Sequence, residues 1–102
     1  MQDLTKKTLK RFRITVKGKV QGVCFRMYTE KEANKLGLKG FVKNLSDTSL
    51  IEIVVEGDSD NIDQLIKWAH KGPPYAHIKD IVFKEETYLG EFSSFSIKYY
   101  DF

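Results

Sequence analysis

The sequence predicts one α+β domain in which two helices cover one face of a mostly antiparallel, five-stranded sheet. Two kinds of periodicity support this: apolar and polar residues alternate in several short segments, and apolar residues recur at helical spacing in two longer ones. Glycines and prolines separate the segments. A chain of 102 residues, 41% hydrophobic and 30% charged, has the size and composition of one folded domain.

The first strand and the first helix are joined by a glycine-containing loop. Strict alternation over residues 12–17 predicts the strand, which should stop at Gly18. After a loop over residues 18–23, a segment without glycine or proline predicts a helix over residues 25–36, and Gly37 provides its C-terminal stop. The apolar face of this helix is predicted to comprise Phe25, Tyr28, Ala33 and Leu36.

A hairpin and a second helix follow. Residues 39–44 and 50–56 read as strands separated by a short polar link, so we expect them to pair. Asp58 or Ser59 should cap the second helix, because short oxygen-bearing side chains satisfy free N–H groups at a helix start. The segment Gly72-Pro73-Pro74 should end this helix.

Two further alternating segments complete the predicted sheet. Residues 77–86 predict a fourth strand and residues 94–100 a fifth. The order β-α-β-β-α-β plus a fifth strand is the ferredoxin-like split β-α-β arrangement. We therefore expect a flexible polar lead-in over residues 1–10 and a single domain over residues 11–102.

Composition excludes several classes of protein. The net charge of +3 is only mildly basic, which disfavours a dedicated nucleic-acid binder. Cys24 is the one cysteine, so no intramolecular disulfide can form, and with His70 and His77 it makes no zinc-binding pattern. We expect no metal and no cofactor. No apolar run has the length of a membrane span or a secretory signal, so a cytoplasmic protein is expected.

The loop after the first strand has the features of an anion site. Gly18 and Gly22 allow tight backbone turns, and successive N–H groups at a helix start can converge on an anion. Arg26, one turn into the helix, can add a bidentate charged fork. The pattern is neither a Walker A loop nor G-x-G-x-x-G, and a plain tight turn with a solvated arginine is the alternative.

Asn44 ends the second strand just before a turn. Asparagine is common in turns for its own hydrogen-bonding reasons. The functional alternative is a side-chain amide that orients a small polar molecule.

Two segments resemble the signatures of the acylphosphatase family. The nine residues from Gly18 to Arg26, GKVQGVCFR, are similar to the first signature, G-x-V-Q-G-V-x-F-R. The residues from Gly40 to Asp47, GFVKNLSD, resemble the second, which begins G-[FW]-V-x-N. The similarity extends over roughly residues 12–100.

This resemblance implies an enzyme that hydrolyses the carboxyl–phosphate bond of small acyl phosphates. In the family, loop amides and the arginine matching Arg26 bind phosphate, and the asparagine matching Asn44 positions the attacking water. The implied phosphate-binding loop comprises Gln21, Gly22, Val23, Cys24, Phe25 and Arg26. The implied protein is a metal-independent monomer with no membrane partner, and its physiological substrate is left open.

The hairpin turn departs from the family pattern. The family usually reads N-L-x-D-G-x-V-E, whereas here Asp47 is followed by Thr48-Ser49-Leu50. The turn glycine is missing and the hairpin is expected to be one residue longer. If the turn needs a position with positive φ, a residue other than glycine must adopt it. The change can therefore alter the hairpin geometry and the orientation of the Asn44 side chain.

The alternative function is a non-enzymatic ferredoxin-like module that binds a small anion or RNA. RNA-recognition domains of this topology place aromatic residues on the third strand. Here Phe41 falls on the second strand and the third has no aromatic residue, so RNA binding is disfavoured.

Overall fold

The computed structural model describes residues 8–99 and has the predicted element order. Its elements are β1 (Leu9–Lys19), α1 (Phe25–Lys35), β2 (Lys39–Asn44), β3 (Leu50–Asp58), α2 (Ser59–Lys71), β4 (His77–Glu86) and β5 (Phe95–Lys98). The strand order is β4-β1-β3-β2-β5, and every neighbouring pair is antiparallel except β2 and β5. The α+β ferredoxin-like prediction is confirmed.

Strand β1 is longer at both ends than the alternation predicts. It begins at Leu9, inside the predicted lead-in, because Leu9 still pairs with Asp58 of β3. The predicted stop at Gly18 is wrong: β1 passes through a register shift there and continues to Lys19. Gly18 is required by close packing, since a Cβ atom at this position would lie 2.0 Å from the His77 carbonyl oxygen. The rest of the lead-in, residues 1–7, lies outside the described residues.

The buried face of α1 differs from the predicted stripe at one position. Phe25, Thr29 and Ala33 are buried, whereas Tyr28 is 37% exposed. Thr29 can be buried because its hydroxyl donates a hydrogen bond of 2.8 Å to the Phe25 carbonyl oxygen, which leaves no unpaired polar group in the core.

The hydrophobic core lies between the two helices and one face of the sheet. Strands β1, β2 and β3 contribute alternating residues, and α2 contributes the four buried residues of its apolar stripe. The core comprises Ile14, Val16, Val20, Phe25, Ala33, Leu38, Val42, Ile51, Ile53, Val55, Ile62, Leu65, Ile66, Ala69 and Phe95. Asp58 caps α2 as predicted, because its carboxylate accepts a hydrogen bond of 3.0 Å from the Asp60 N–H. Neither helix of residues 8–99 is long and apolar enough to cross a bilayer.

A buried ion-pair network occupies the sheet end at which β1 begins. Arg11 contacts the carboxylates of Glu56 at 3.4 Å and Glu86 at 3.1 Å, and it also pairs with Glu91. The Glu56 carboxylate accepts three backbone hydrogen bonds, from Leu89, Gly90 and Glu91. This network therefore fixes the segment after β4. That segment crosses the sheet and leads to β5, which is the edge strand on the opposite side.

Strands β1 and β2 both end at the other end of the sheet. Both are antiparallel to β3, so they run in the same direction, and β5 is parallel to β2. The loop after β1, the last residue of β2 and the residue after β5 therefore gather at one end. Strand β5 is shorter than predicted and ends at Lys98, opposite Lys43; the predicted end at Tyr100 lies outside the described residues.

Candidate active site

The loop between β1 and α1 turns on two left-handed residues. Gly22 has φ 75° and Cys24 has φ 61°, ψ 24°. Glycine adopts this conformation freely, but a left-handed cysteine costs about 1–2 kcal/mol. Cys24 is also the N-cap of α1, and its side chain makes no capping hydrogen bond. Strain of this kind is typical of functional loops, and the sequence gives no signal for it at Cys24.

The backbone N–H groups of this loop and of the first helical turn are available to a ligand. The first N–H of α1 with a partner belongs to Tyr28, which donates to the Cys24 carbonyl oxygen at 3.1 Å. Within residues 8–99, no backbone hydrogen bond outside the helices and strands is donated by residues 21–27. Free N–H groups at a helix start, together with the helix dipole, form an environment that suits an anion.

The side chains of the loop divide into structural and accessible ones. Phe25 is buried and packs against Trp68 with ring centroids 5.6 Å apart, and Val23 packs against the core. These two residues can therefore offer a phosphate only their main chain. The Cys24 thiol is free and exposed.

Arg26 lies in the first turn of α1 and is held by an aromatic ring. Its guanidinium carbon is 5.0 Å from the centre of the Tyr99 ring, a cation–π contact. Among the described residues, no carboxylate lies within ion-pair distance of Arg26. The two residues line a cavity of about 300 Å³. Its lining comprises Gly22, Cys24, Phe25, Arg26, Met27, Ile97 and Tyr99.

Tyr99 is a residue of the site that the sequence does not predict. The preceding residue, Lys98, is paired with Lys43, so Tyr99 follows β5 at the same level as Asn44 at the end of β2. No sequence pattern marks this role, because it depends on the parallel pairing of β2 and β5.

Asn44 has an unpaired polar atom. It is the last residue of β2, and by strand alternation its side chain lies on the same face as the buried Val42. The Oδ1 atom of Asn44 is buried and has no hydrogen-bond partner among the described residues. An unsatisfied buried polar atom costs about 1–3 kcal/mol, so it marks a place where a ligand or water belongs.

Gln21 joins the loop to the β2–β3 hairpin. Its Nε2 atom donates to the carbonyl oxygens of Leu45 at 2.9 Å, Leu50 at 3.0 Å and Asp47 at 3.2 Å. Since an amide nitrogen has two hydrogens, one of them is shared. The Gln21 side chain is therefore committed to the hairpin, whereas its main chain stays in the loop.

The hairpin turn closes without a glycine. The Asp47 carboxylate accepts hydrogen bonds from the Ser49 N–H at 2.9 Å and the Ser49 hydroxyl at 2.7 Å, and the Leu50 N–H donates to the Asp47 carbonyl at 3.0 Å. None of residues 45–50 has a positive φ. The bond from the Ser49 hydroxyl, followed by that from its N–H, holds the pKa of Asp47 below its usual value. The expected positive-φ position is thus replaced by an aspartate-centred turn.

The site therefore combines free loop amides, a guanidinium held by an aromatic ring, and an asparagine with an unpaired oxygen. The resemblance to the family implies one site for the loop, Arg26 and Asn44, and the parallel course of β1 and β2 brings these residues to the same end of the sheet. Within residues 8–99, no group of three or more His, Cys, Asp or Glu residues is arranged to hold a metal ion.

Comparisons with known proteins agree with this arrangement. The family model described as Acylphosphatase matches residues 12–97. The chain is 46% identical over 92 residues to an acylphosphatase of Aeropyrum pernix, covering 90% of this chain and 91% of that protein.

Solved structures give the same result. An acylphosphatase from Bacillus subtilis superposes with a TM-score of 0.84 at 37% identity, covering 90% of this chain and 100% of that one. An acylphosphatase from Coxiella burnetii superposes with a TM-score of 0.85 at 37% identity, covering 93% of this chain and 100% of that one. The residues of the site, apart from Tyr99, lie within the matched range. Because the family model matches most of this chain, residues 12–97 of 102, the chain belongs to the acylphosphatase family.

Proposed function

We propose that this protein hydrolyses small acyl phosphates to a carboxylate and inorganic phosphate, with the phosphate held by loop amides and Arg26 and the water positioned by Asn44. Membership of the family supports acyl phosphate hydrolysis as such. The observation that carries the proposed assignment of roles is the buried, unpaired Oδ1 of Asn44 at the same sheet end as the loop.

The phosphoryl group is bound by the loop over residues 21–26. The free N–H groups donate to phosphate oxygens, and the positive end of the α1 dipole favours their charge. The Arg26 guanidinium supplies charge-assisted hydrogen bonds to the same group. The cation–π contact with Tyr99 limits the positions that the guanidinium can take, so it is oriented before the substrate arrives.

Asn44 holds the nucleophile. A water molecule donates a hydrogen bond to Asn44 Oδ1, which satisfies this oxygen and aims the water's lone pair at phosphorus. The P–O bond to the acyl group breaks as the new P–O bond forms, and the water's proton passes to a phosphate oxygen. Holding the two reactants in line accounts for much of the acceleration in phosphoryl transfer.

This reaction requires neither a protein acid nor a metal. The leaving group is a carboxylate, whose conjugate acid has a pKa of roughly 4–5, so it leaves without protonation. The loop amides and Arg26 can stabilise the charge that develops on the phosphoryl oxygens. The protein is proposed to act in the cytoplasm, where the exposed thiol of Cys24 would stay reduced.

The alternative of an RNA-binding module lacks a supporting feature. Phe41 packs edge-on against Phe92 at 5.9 Å and contacts the ammonium of Lys98. On the same face of the sheet, Glu52 pairs with Arg13 at 2.8 Å and Glu56 pairs with Arg11 at 3.4 Å, so these two arginines are already paired within the chain and are not available to a phosphate backbone.

The decisive experiment for the function is a hydrolysis assay with a metal chelator. Acetyl phosphate or benzoyl phosphate is incubated with the protein in EDTA, and substrate loss and phosphate release are followed. We expect saturable turnover that EDTA leaves unchanged and that inorganic phosphate inhibits competitively. No acceleration over buffer would contradict the enzymatic function, and turnover lost in EDTA and restored by a divalent ion would contradict metal independence.

A further inference from the structure

Strand β4 forms a long open edge of the sheet. It has ten residues, pairs with β1 along one side, and is the terminal strand of the sheet among the described residues. Its outer side therefore presents backbone N–H and C=O groups that can pair with another strand. The centre of the edge is apolar: Val82 is 62% exposed and Phe83 is 51% exposed. Exposed apolar residues in the middle of a long edge strand favour strand-to-strand association.

The charges along β4 are complementary to a second copy of the same strand. The sequence from Lys79 to Glu85 reads Lys-Asp-Ile-Val-Phe-Lys-Glu. When two copies pair antiparallel with Val82 opposite Val82, Asp80 of each lies opposite Lys84 of the other, and Lys79 lies opposite Glu85. Ile81 then lies opposite Phe83. This register joins opposite charges at four places around an apolar centre, and each such pair stabilises an antiparallel ladder.

Neighbouring registers lack this match. A shift of one residue in one direction places Lys79 opposite Lys84, and a shift in the other direction places Asp80 opposite Glu85. Like charges directly opposite one another destabilise a pair of strands. Charged residues usually protect an edge strand, but here their order selects one register of self-pairing.

We propose that two copies of this protein associate through antiparallel pairing of their β4 strands about a two-fold axis at Val82. Directly opposite residues point to the same side of a sheet, so this register places the helices of both copies on the same face of one continuous sheet. Within the chain, Glu85 lies 3.8 Å from Lys10 but its side chain stays 55% exposed, which leaves it accessible to the second copy. This surface is separate from the active site, and it stands against the monomer expected from the sequence.

The test is sedimentation equilibrium of the full chain up to about 1 mM, with charge-reversal variants. We expect a monomer–dimer equilibrium in the unmodified protein. Asp80→Lys alone and Lys84→Asp alone should each weaken association roughly tenfold or more, because each places like charges across the interface. The double variant should restore association, since residue 80 of one copy faces residue 84 of the other. Lys31→Asp, an exposed change on α1, is the matched charge control.

Circular dichroism and hydrolytic activity serve as controls that each variant is folded. All variants should retain circular dichroism and acyl phosphate hydrolysis, because Asp80 and Lys84 lie outside the site. Val82→Lys, which places two like charges on the axis, should give a monomer at every concentration. A monomer throughout the concentration range of the unmodified protein would overturn the proposal. So would association that the single variants leave unchanged, or that the double variant fails to restore.

Discussion

At the scale of single residues, the proposed mechanism assigns phosphate binding and positioning of the water to different groups. Arg26 and the free amides of residues 21–27 can contact a phosphoryl group, whereas Asn44 offers one unpaired acceptor to a water. No other buried side-chain oxygen or nitrogen among the described residues lacks a partner. This division predicts that substitutions at the two positions change different kinetic constants.

Removing the guanidinium should weaken phosphate binding and turnover together. For Arg26→Ala we expect kcat/KM to fall by about 10²–10³-fold, the usual effect of removing a preorganised charge-stabilising donor. The inhibition constant of inorganic phosphate should rise as well. Arg26→Lys should recover only part of the loss, because an ammonium lacks the planar fork. Lys31→Ala on the same helix is the control, and an unchanged kcat/KM in Arg26→Ala would remove Arg26 from the proposed site.

The left-handed conformation of Cys24 should carry a measurable strain. Cys24→Gly is expected to stabilise the protein by about 0.5–1 kcal/mol, because relief of the left-handed strain exceeds the extra chain entropy of glycine. Urea denaturation measures this change. Cys24→Ala, which keeps a Cβ atom at the same φ, should not stabilise. If Cys24→Gly is less stable than the unmodified protein, the strain is absent or the thiol contributes packing that outweighs it.

At the scale of secondary-structure elements, the loop and the hairpin act as one unit. The Gln21 amide connects them through three carbonyl oxygens, and the Gly18 N–H adds a bond of 2.9 Å to the Ser49 carbonyl. These contacts are made to residues 45–50, the turn that differs from the family pattern. They therefore hold the hairpin, and with it Asn44 at the hairpin's base, against the loop.

Disrupting this connection should lower kcat with little change in phosphate binding. In Gln21→Met the side chain keeps its length but cannot donate hydrogen bonds, so the hairpin and Asn44 lose their support. We expect kcat to fall about tenfold or more, since small misplacements of a positioning group are costly. Steady-state kinetics with phosphate inhibition measure both constants, and Gln64→Met on α2 is the matched control. Equal loss of kcat and of phosphate affinity would indicate general damage to the loop.

At the scale of the whole molecule, the ion-pair network at the far end of the sheet controls stability towards acid. Burial by itself raises the pKa of the Glu56 carboxyl, but the three backbone N–H groups and Arg11 outweigh it and lower the pKa below its usual value. The pKa of Glu86 is lowered by hydrogen bonds from Arg13 and Arg11. A carboxylate whose pKa is lower in the folded state adds stability above its unfolded pKa, and this stability is lost as the pH falls.

The unfolding free energy should therefore fall as the pH drops below about 4.5, the region in which unfolded carboxylates take up protons. Glu56→Gln should destabilise the protein at pH 7 by about 1.5–3 kcal/mol, because a neutral amide pairs more weakly than a carboxylate with Arg11 and with the three backbone N–H groups. The variant should also show a shallower loss of stability in acid. Urea denaturation from pH 3 to 7 measures both effects, with Asp63→Asn as an exposed control. Parallel pH profiles for Glu56→Gln and the unmodified protein would contradict this role.

The sequence predicted the fold better than it predicted the contacts within the site. Period-two and helical patterns depend on the core, so the order of the elements follows from them. A strand end predicted at Gly18 is wrong because the alternation contains no information about the close approach of the His77 carbonyl oxygen. The apolar pattern predicts that Tyr28 is buried, but the helix buries the polar Thr29 instead. Thr29 can be buried because its hydroxyl donates a hydrogen bond within its own helix, and an apolar pattern does not include such a residue. The contacts of Gln21 and Tyr99 depend on strand pairing between distant segments, which local patterns do not encode.

The central claim is that Asn44 positions the water while the loop and Arg26 bind the phosphoryl group. The most direct test is the kinetics of Asn44→Ala with acetyl or benzoyl phosphate, measuring kcat together with the inhibition constant of inorganic phosphate. We predict that kcat falls by about 100-fold or more while the phosphate constant changes by less than about twofold. An unchanged kcat, or a loss of phosphate affinity as large as the loss of kcat, would contradict the claim.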